Sequence, residues 1–422
     1  MRLNLSDMIF ALSFSLDQAE NALLGVDTGH GKRVACLAMF MAREAGVKGE
    51  ELRDFVSCCI LHDNALTEFI HEELAYSTML QDVNMPQEDA EVPAGPDMNH
   101  FHCVVGEKNI ALVPFHTDVK NIVLYHHENA DGTGPMGKTA AETPLKAQLV
   151  RIADYVDVTT RLSTLTEEGF LALRKDIAAQ VGTLFSQEVV DLFMKAIDYD
   201  KIVYCQKKSA LAYLRGEFEP AMRDYSHEDI RNIARLFAEI VDYKSTYTCD
   251  HSIGVAEKAE IMGRHYGFDD EKTTRYYFAA AMHDIGKMVT PNIVLEKPGR
   301  LTDNEFDTMK DHAATTNYIL SHISGIPDII KWASNHHEKL NGSGYPQGLK
   351  AEQLSFEERL MACIDIYQAL TETRPYRDSL AHDGAIAIMR DMVEKGELDE
   401  DIVRDMDLVL GDMARTGACG TA

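Results

Sequence analysis

The sequence predicts an all-α protein made of two tandem helical bundle domains, and three observations carry that reading. Segments such as "EDIRNIARLFAEIVDYK", "HSIGVAEKAEIMGRHYG" and "GAIAIMRDMVEKG" place apolar residues three and four apart, the period of one helix face. Few stretches alternate as half-buried strands do. An ordered series of His and Asp residues occurs twice along the chain, which marks an internal repeat.

The repeat fixes the order of elements. In the first half the series is His30, His62-Asp63, His102, His126-His127 and Asp154; in the second it is His251, His283-Asp284, His312, His336-His337 and Asp365. The first His precedes the HD pair by 32 residues in both halves, and the third His precedes the HH pair by 24 in both. Between HD and the third His the intervals are 40 and 29. The excess falls on "QDVNMPQEDAEVPAGPDMNH", an acidic, Pro-containing insert that reads as an exposed loop or flap. From HH to the last Asp they are 27 and 28, and the missing residue is a Tyr: "YHHENADGTGP" stands against "NHHEKLNGSGYP". Past the series, "GFLALRKDIAAQVG" from Gly169 parallels "GAIAIMRDMVEKG" from Gly384. The expected domains are residues 1–200 and 226–422, with 201–225 as a linker or inter-domain helix and long helices around Asp200 to Asp242. Gly and Pro gather in "EKPGRLT" and "NGSGYPQG", which read as loops.

Composition narrows the function. A chain of 422 residues, 45% hydrophobic, can bury more than one core. Its net charge of −27 argues against long nucleic acid, which needs a basic stripe. A small anion is still compatible where metal ions and a few Lys or Arg set the local field. The apolar stretch in "MRLNLSDMIFALSFSLDQAE" is short and interrupted, so neither a secretory signal nor a membrane span is expected, and the cytoplasm is the expected location. The eight Cys form no CxxC pair and read as small core residues in a reducing compartment.

His and carboxylate side chains are the usual ligands of borderline transition metals, and an adjacent His-Asp pair offers a terminal imidazole beside a bridging carboxylate. Two ions held a few Å apart activate water and bind phosphate oxygens for in-line attack. Any one of these His alone would read as a core or surface residue. The full ordered set points to phosphoester hydrolysis.

With "HDIGK" and "HHEKLNGSGYP" added, the stretch from Ser226 to Leu410 resembles the HD-GYP phosphodiesterases, a branch of the HD superfamily of helical metal-dependent phosphohydrolases. The resemblance implies a di- or trinuclear iron or manganese site and hydrolysis of a cyclic dinucleotide, 3′3′-cyclic GMP-AMP or cyclic di-GMP, to the linear form. It implies His251, His283, Asp284, His312, His336, His337 and Asp365 as metal ligands, with Asp284 bridging. Lys287 would steady a substrate phosphate oxygen, Tyr345 would line the pocket, and Arg374 and Arg377 of "RPYR" would clamp phosphate.

Three positions depart from the family pattern. Three-metal members carry a Glu four residues before the first ligating His; Tyr247 stands there, so two ions are expected. Asn341 replaces a frequent Asp, a mild change. Gln368 replaces a second Asp three residues after Asp365. An amide both donates and accepts, so a base-facing Gln368 would suit adenine as well as guanine; a Gln368 that merely packs on its helix fits equally.

The first copy keeps a candidate for every ligand position: His30, His62, Asp63, His102, His126, His127 and Asp154. Leu66 replaces the Lys, the Tyr is absent between Gly134 and Pro135, and only Arg161 in "DYVDVTTRLST" offers a displaced basic group. Substrate-binding parts have gone while metal-binding parts stay. A metal-stabilised scaffold or regulatory partner is the favoured role for this domain; a second HD-type phosphohydrolase acting on linear nucleotides, or a pairing surface for the other domain or for a second chain in a homodimer, are the alternatives. For the whole chain, a non-catalytic cyclic-dinucleotide sensor with structural metals is the competing reading. Lys287, Tyr345, Arg374 and Arg377 argue against it, since a structural site needs no phosphate-binding groups.

Overall fold

In the computed structural model the described residues are all except 25–28, 67, 70–97, 207–209, 245–250, 298, 374–378 and 417–422. The chain forms two compact units, Asn4–Met222 on one side and Arg223–Ala422 together with Met1–Leu3 on the other. Both are helical. Among the described residues the strands are two short ones, Arg2–Leu3 and Arg223–Asp224, paired antiparallel with Arg2 opposite Asp224 and Leu3 opposite Arg223. No helix among them is long and apolar enough to cross a membrane.

The first unit is built around helix His30–Glu44, which is buried at every residue from His30 to Ala42. Its run "VACLAMFMA" is apolar around the circumference, as a helix enclosed by others must be. Helices Gly49–Ile60, Leu145–Thr160, Gln187–Ala196 and Tyr199–Gln206 pack against it. Its two buried cations are both paired, Lys32 with Asp17 and Arg33 with Asp157, which offsets the cost of removing them from water.

In the second unit helix Asp270–Met282 plays the central part, buried from Tyr276 to Met282. Helices His227–Asp242, His251–His265 and Pro327–Ser334 surround it. Three helix starts are fixed by reciprocal capping: Ser226 with Asp229, Thr302 with Glu305, and Ser355 with Glu358. The predicted helices fall on His227–Asp242, His251–His265 and His382–Glu394, and residues 341–348 form a loop as expected.

Of the long helices expected around Asp200 to Asp242, His227–Asp242 is described in full, while residues 207–209 lie outside the described residues. The helical segments Tyr199–Gln206 and Ala210–Gly216 both pack within the first unit on helix His30–Glu44, and the chain leaves helix at Gly216 ahead of Pro220. Ser226 then opens a new helix with its own cap. The acidic insert lies outside the described residues up to position 97; its last three residues begin helix Met98–Ile110. The six described Cys are buried free thiols.

Candidate dinuclear metal centre and its copy

In the second unit three helix ends and two helix faces converge. Helix Asp270–Met282 delivers His283 and Asp284 at its C-terminal end, where a short 3₁₀ turn, Ile285–Val289, takes over. Gly286 is needed there: a Cβ at that position would stand 2.0 Å from the His312 carbonyl oxygen. That close approach lets helix Asp303–Leu320 bring His312 against the HD turn. His336 and His337 follow helix Pro327–Ser334, His251 opens helix His251–His265, and Asp365 lies on the buried face of helix Phe356–Thr371.

The two oxygens of Asp284 face different partners. Oδ2 lies 3.2 Å from His283 Nε2 and 3.7 Å from His251 Nε2. Oδ1 lies 3.5 Å from His312 Nε2 and 3.8 Å from His336 Nε2. Asp365 closes both sides, with Oδ1 at 3.3 Å from His251 Nε2 and Oδ2 at 3.7 Å from His337 Nδ1. These spacings are those of ligand atoms around shared centres rather than of hydrogen-bonded pairs.

The imidazoles are held ready by their other nitrogen. Nδ1 of His283, His312 and His336 each lies 2.6 Å from a backbone carbonyl, of Ala280, Met309 and Ala333. A proton on Nδ1 leaves the Nε2 lone pair pointing at the centre, the arrangement metal-binding His adopts. His283 Nε2 and Asp284 Oδ1 are buried without a hydrogen-bond partner, an expense that a cation on each side of the Asp284 carboxylate would remove. Burial holds His336 well below its ordinary value, takes His337 down to about 3 and lowers His312. At His283 burial acts the same way, but the Asp284 and Asp365 carboxylates outweigh it and raise the ring to about 10. Burial opposes ionisation of Asp284 and Asp365 too; the surrounding His, with Lys287 beside Asp284, hold both well below the usual carboxylate range.

Around this cluster stand two of the expected substrate groups. The Lys287 ammonium reaches Asp284 Oδ2. The Tyr345 ring lies 4.7 Å from that of His337 and 6.3 Å from that of His312, and burial, then the charges of Asp365 and Asp284, keep its phenol protonated. The loop that carries Tyr345 is pinned by Glu338, which accepts from the N–H groups of Gln347 (2.7 Å) and Leu349 (2.8 Å). Gly344 has no room for a side chain, since a Cβ would fall 2.4 Å from Lys339 N. Asn341 serves the turn by accepting from Ser343 N and Oγ, a task an amide oxygen does as well as a carboxylate. Arg374, Arg377 and Tyr247 lie outside the described residues.

Gln368 has the packed surroundings of the second of its two readings. It is 8% exposed, accepts from Lys258 Nζ at 2.6 Å and donates to Glu372 at 3.3 Å. A Cβ on Gly254 would run into it at 2.4 Å, so the amide is packed tightly between two helices behind His251. The residue pairs with polar neighbours because a buried amide must.

The first unit repeats the arrangement. Asp63 Oδ2 faces His62 (3.4 Å) and His30 (3.7 Å), while its Oδ1 faces His102 (3.6 Å) and His126 (3.7 Å). Asp154 reaches His30 at 3.4 Å and His127 at 3.8 Å. Nδ1 of His62, His102 and His126 again meets a carbonyl, and His62 Nε2 is buried without a partner. Leu66 occupies the place of the Lys and is buried, and Arg161 ends its helix in the left-handed region, exposed. Glu128 still pins the loop, through Met136 N and Lys138 N.

Two family models, each described as an HD domain, match this chain, one over residues 28–159 and the other over residues 235–402. The chain belongs to the HD-domain family. This HD-domain protein is 28% identical over 410 residues to 3'3'-cGAMP-specific phosphodiesterase 1 of Vibrio cholerae serotype O1, covering 94% of this chain and 90% of that one. With 3'3'-cGAMP-specific phosphodiesterase 3 of the same organism it shares 31% over 270 residues, 64% of this chain and 57% of the relative. With the cyclic di-GMP phosphodiesterase response regulator RpfG of Xanthomonas campestris it shares 31% over 187 residues, 43% of this chain and about half (48%) of that relative. A solved cyclic GMP-AMP specific phosphodiesterase of V. cholerae, V-cGAP3, superimposes with a TM-score of 0.65 at 22% identity, over 97% of this chain and 98% of that one, which is a likeness of fold.

The HD-domain protein also contains polar partners of the cluster that the motif spacing did not single out. His251 Nδ1 donates to Glu372 Oε2 at 2.9 Å, and His30 Nδ1 to Asp157 Oδ2 at 2.7 Å, where Arg33 grips the same carboxylate at 2.6 and 2.8 Å. Asp157 follows Asp154 by one turn, the offset of Gln368 from Asp365. That offset was the available signal for Asp157. Glu372 carries none, since 121 residues separate it from His251.

Proposed function

We propose that the second unit of this HD-domain protein is a dinuclear metal-dependent phosphodiesterase that opens a cyclic dinucleotide, 3′3′-cyclic GMP-AMP or cyclic di-GMP or both, to the linear dinucleotide. The observation that carries the reading is the placement of the two Asp284 oxygens against separate His sets, His251 and His283 on one side and His312 and His336 on the other. His251, His283 and Asp365 would hold one ion, His312, His336 and His337 the other, and Asp284 would span both. Mixed imidazole and carboxylate donors suit iron or manganese. Bound ions would supply a hydroxide at neutral pH and Lewis-acid binding of phosphate oxygens.

The chain's own groups do the rest. The carbonyl-anchored rings hold their lone pairs in one direction, so the phosphate meets a fixed geometry. Lys287, already beside Asp284, would turn its ammonium to a phosphate oxygen and offset charge as the P–O bond breaks. Tyr345, a neutral phenol, would donate to the substrate at the pocket wall. Arg374 and Arg377 would grip the second phosphate.

Residues 226–422 form the catalytic domain in this proposal. Residues 1–200 form a metal-holding domain without cyclic-dinucleotide turnover, since the Lys and Tyr positions are lost while the ligand spacing persists. A reducing cytoplasm suits the free thiols. The deciding experiment is turnover of both purified cyclic dinucleotides with Mn²⁺ or Fe²⁺, with products identified by mass. Linear dinucleotide is the expected product. Turnover of linear nucleotides alone, or binding without turnover, would replace this reading with a nucleotidase or a sensor.

A further inference from the structure

Helix Asp303–Leu320 carries more than His312. Near its start stands Phe306, an aromatic ring left 45% exposed beside the buried cluster. Its ring lies 6.3 Å from that of Tyr345, edge to face at 84°. Tyr345 in turn lies 4.7 Å from His337 and 6.3 Å from His312. Rings thus step outward from the metal ligands to solvent: His337, Tyr345, Phe306. One turn on from Phe306, Lys310 sets its ammonium 4.6 Å from the Phe306 ring centre, its charge shared with Asp307 at 2.9 Å.

The helix start that presents Phe306 is fixed. Thr302 and Glu305 cap each other reciprocally, and Lys297 bonds both oxygens of Glu305 at 2.8 and 2.6 Å. A single exposed apolar side chain needs no explanation by itself. This one differs because it continues a line of rings from the site and has a cation over one face. The sequence adds an independent point. Six residues before the third His of the series the second copy has Phe306 and the first has Pro96, so the aromatic is missing where Tyr345 and Lys287 are also missing.

We propose that Phe306 is the stacking platform for one nucleobase of the substrate. The inference rests on the phosphodiesterase reading of the same site. A scissile phosphate at the ligand cluster places its ribose beside Tyr345, and the base that the ribose carries extends to Phe306. Every base has a π-face, so such a platform strengthens binding of adenine and guanine alike, either on the ring face that Lys310 does not cover or by displacing the Lys310 ammonium to a phosphate oxygen. Phe306 acts on binding and leaves the metals untouched.

The test compares wild type with Phe306→Ala and Phe306→Tyr, reading KM, kcat and metal content on 3′3′-cyclic GMP-AMP and cyclic di-GMP. Loss of one base stack is worth about 1–3 kcal/mol, so Phe306→Ala is expected to raise KM by roughly 5- to 150-fold at unchanged metal content and nearly unchanged kcat, with Phe306→Tyr close to wild type. A KM within about twofold of wild type for Phe306→Ala, or a fall in metal content that accounts for the loss, overturns the platform. Calorimetric binding of a phosphorothioate cyclic dinucleotide separates the two proposals. Wild-type binding that Phe306→Ala weakens, in a protein without turnover, defeats the phosphodiesterase reading and keeps the platform. Turnover with equal binding by both proteins defeats the platform alone.

Discussion

Glu372 accepts the Nδ1 proton of His251 at 2.9 Å, on the side of the ring away from the metal centre. A carboxylate behind a ligating imidazole fixes its tautomer and raises its basicity, and its loss typically costs 10–100-fold in metal affinity. Glu372→Ala is therefore expected to weaken one ion, that of His251, His283 and Asp365, by about that factor. Metal titration followed by mass spectrometry would read it. Equal weakening of both ions would remove the assignment of separate sites.

Asp284→Asn keeps the shape of the bridging side chain and removes its charge. With Asp284 spanning two ions as proposed, both would lose a ligand at once, so turnover should fall by more than ~100-fold, beyond the loss expected of a supporting residue. Retained turnover would contradict a bridging Asp284.

Lys287→Met removes the ammonium beside the cluster and leaves the seven candidate ligands in place. A hydrogen bond to a charged group contributes about 1.5–3 kcal/mol, so kcat/KM should fall roughly 10- to 150-fold. Metal content should stay at the wild-type level. A drop in metal content with the activity would make Lys287 a support for Asp284 and nothing more.

His62→Ala with Asp63→Ala should lower the metal content of the chain by about half while cyclic-dinucleotide turnover persists. The first unit's ligand geometry predicts the first outcome, and its buried Leu66 and missing Tyr predict the second. Unchanged metal content in elemental analysis would end the claim of a metal in the first unit.

Asp242 gives a pH signature. It is buried, accepts from Ser252 N at 3.0 Å and Ser252 Oγ at 2.8 Å, and burial raises it to about 7 against the pull of His251 and those bonds. Its folded value lies above that of the unfolded chain, so the native state binds the extra proton between them. The resulting stabilisation is complete below about pH 4 and is lost as the pH rises through about 7. Asp242→Asn stays uncharged throughout, so its melting temperature should exceed wild type by several degrees near pH 8 and by little near pH 4. An equal shift at both would refute the titration.

Legibility of the sequence followed the length scale of each constraint. The ligand series was readable because each His or Asp sits at a helix end or on a helix face, and the repeated intervals of 32 and 24 residues record helix lengths. Lys287 and Tyr345 were readable from adjacent motif letters and stand at the cluster. The two readings of Gln368 stayed level in the sequence because its offset from Asp365 is local while Lys258, 110 residues away, meets it only after folding. Glu372 and Arg33 act through contacts more than a hundred residues away in sequence, for which no periodicity exists. The helix end at Gly216, ahead of Pro220, reflects stop signals that apolar spacing does not record.

The two-residue ladder between Arg2–Leu3 and Arg223–Asp224 bears on how this protein can be cut. Residues Asn4 to Met222 leave and rejoin the second unit at neighbouring points, so the first unit is an insertion whose ends are already brought together. A fragment beginning at Arg223 would lose Leu3, fully buried, and with it one edge of the ladder. An excised second unit would need the tripeptide restored, by a short flexible bridge from Leu3 to Arg223, before its behaviour could be compared with the intact chain.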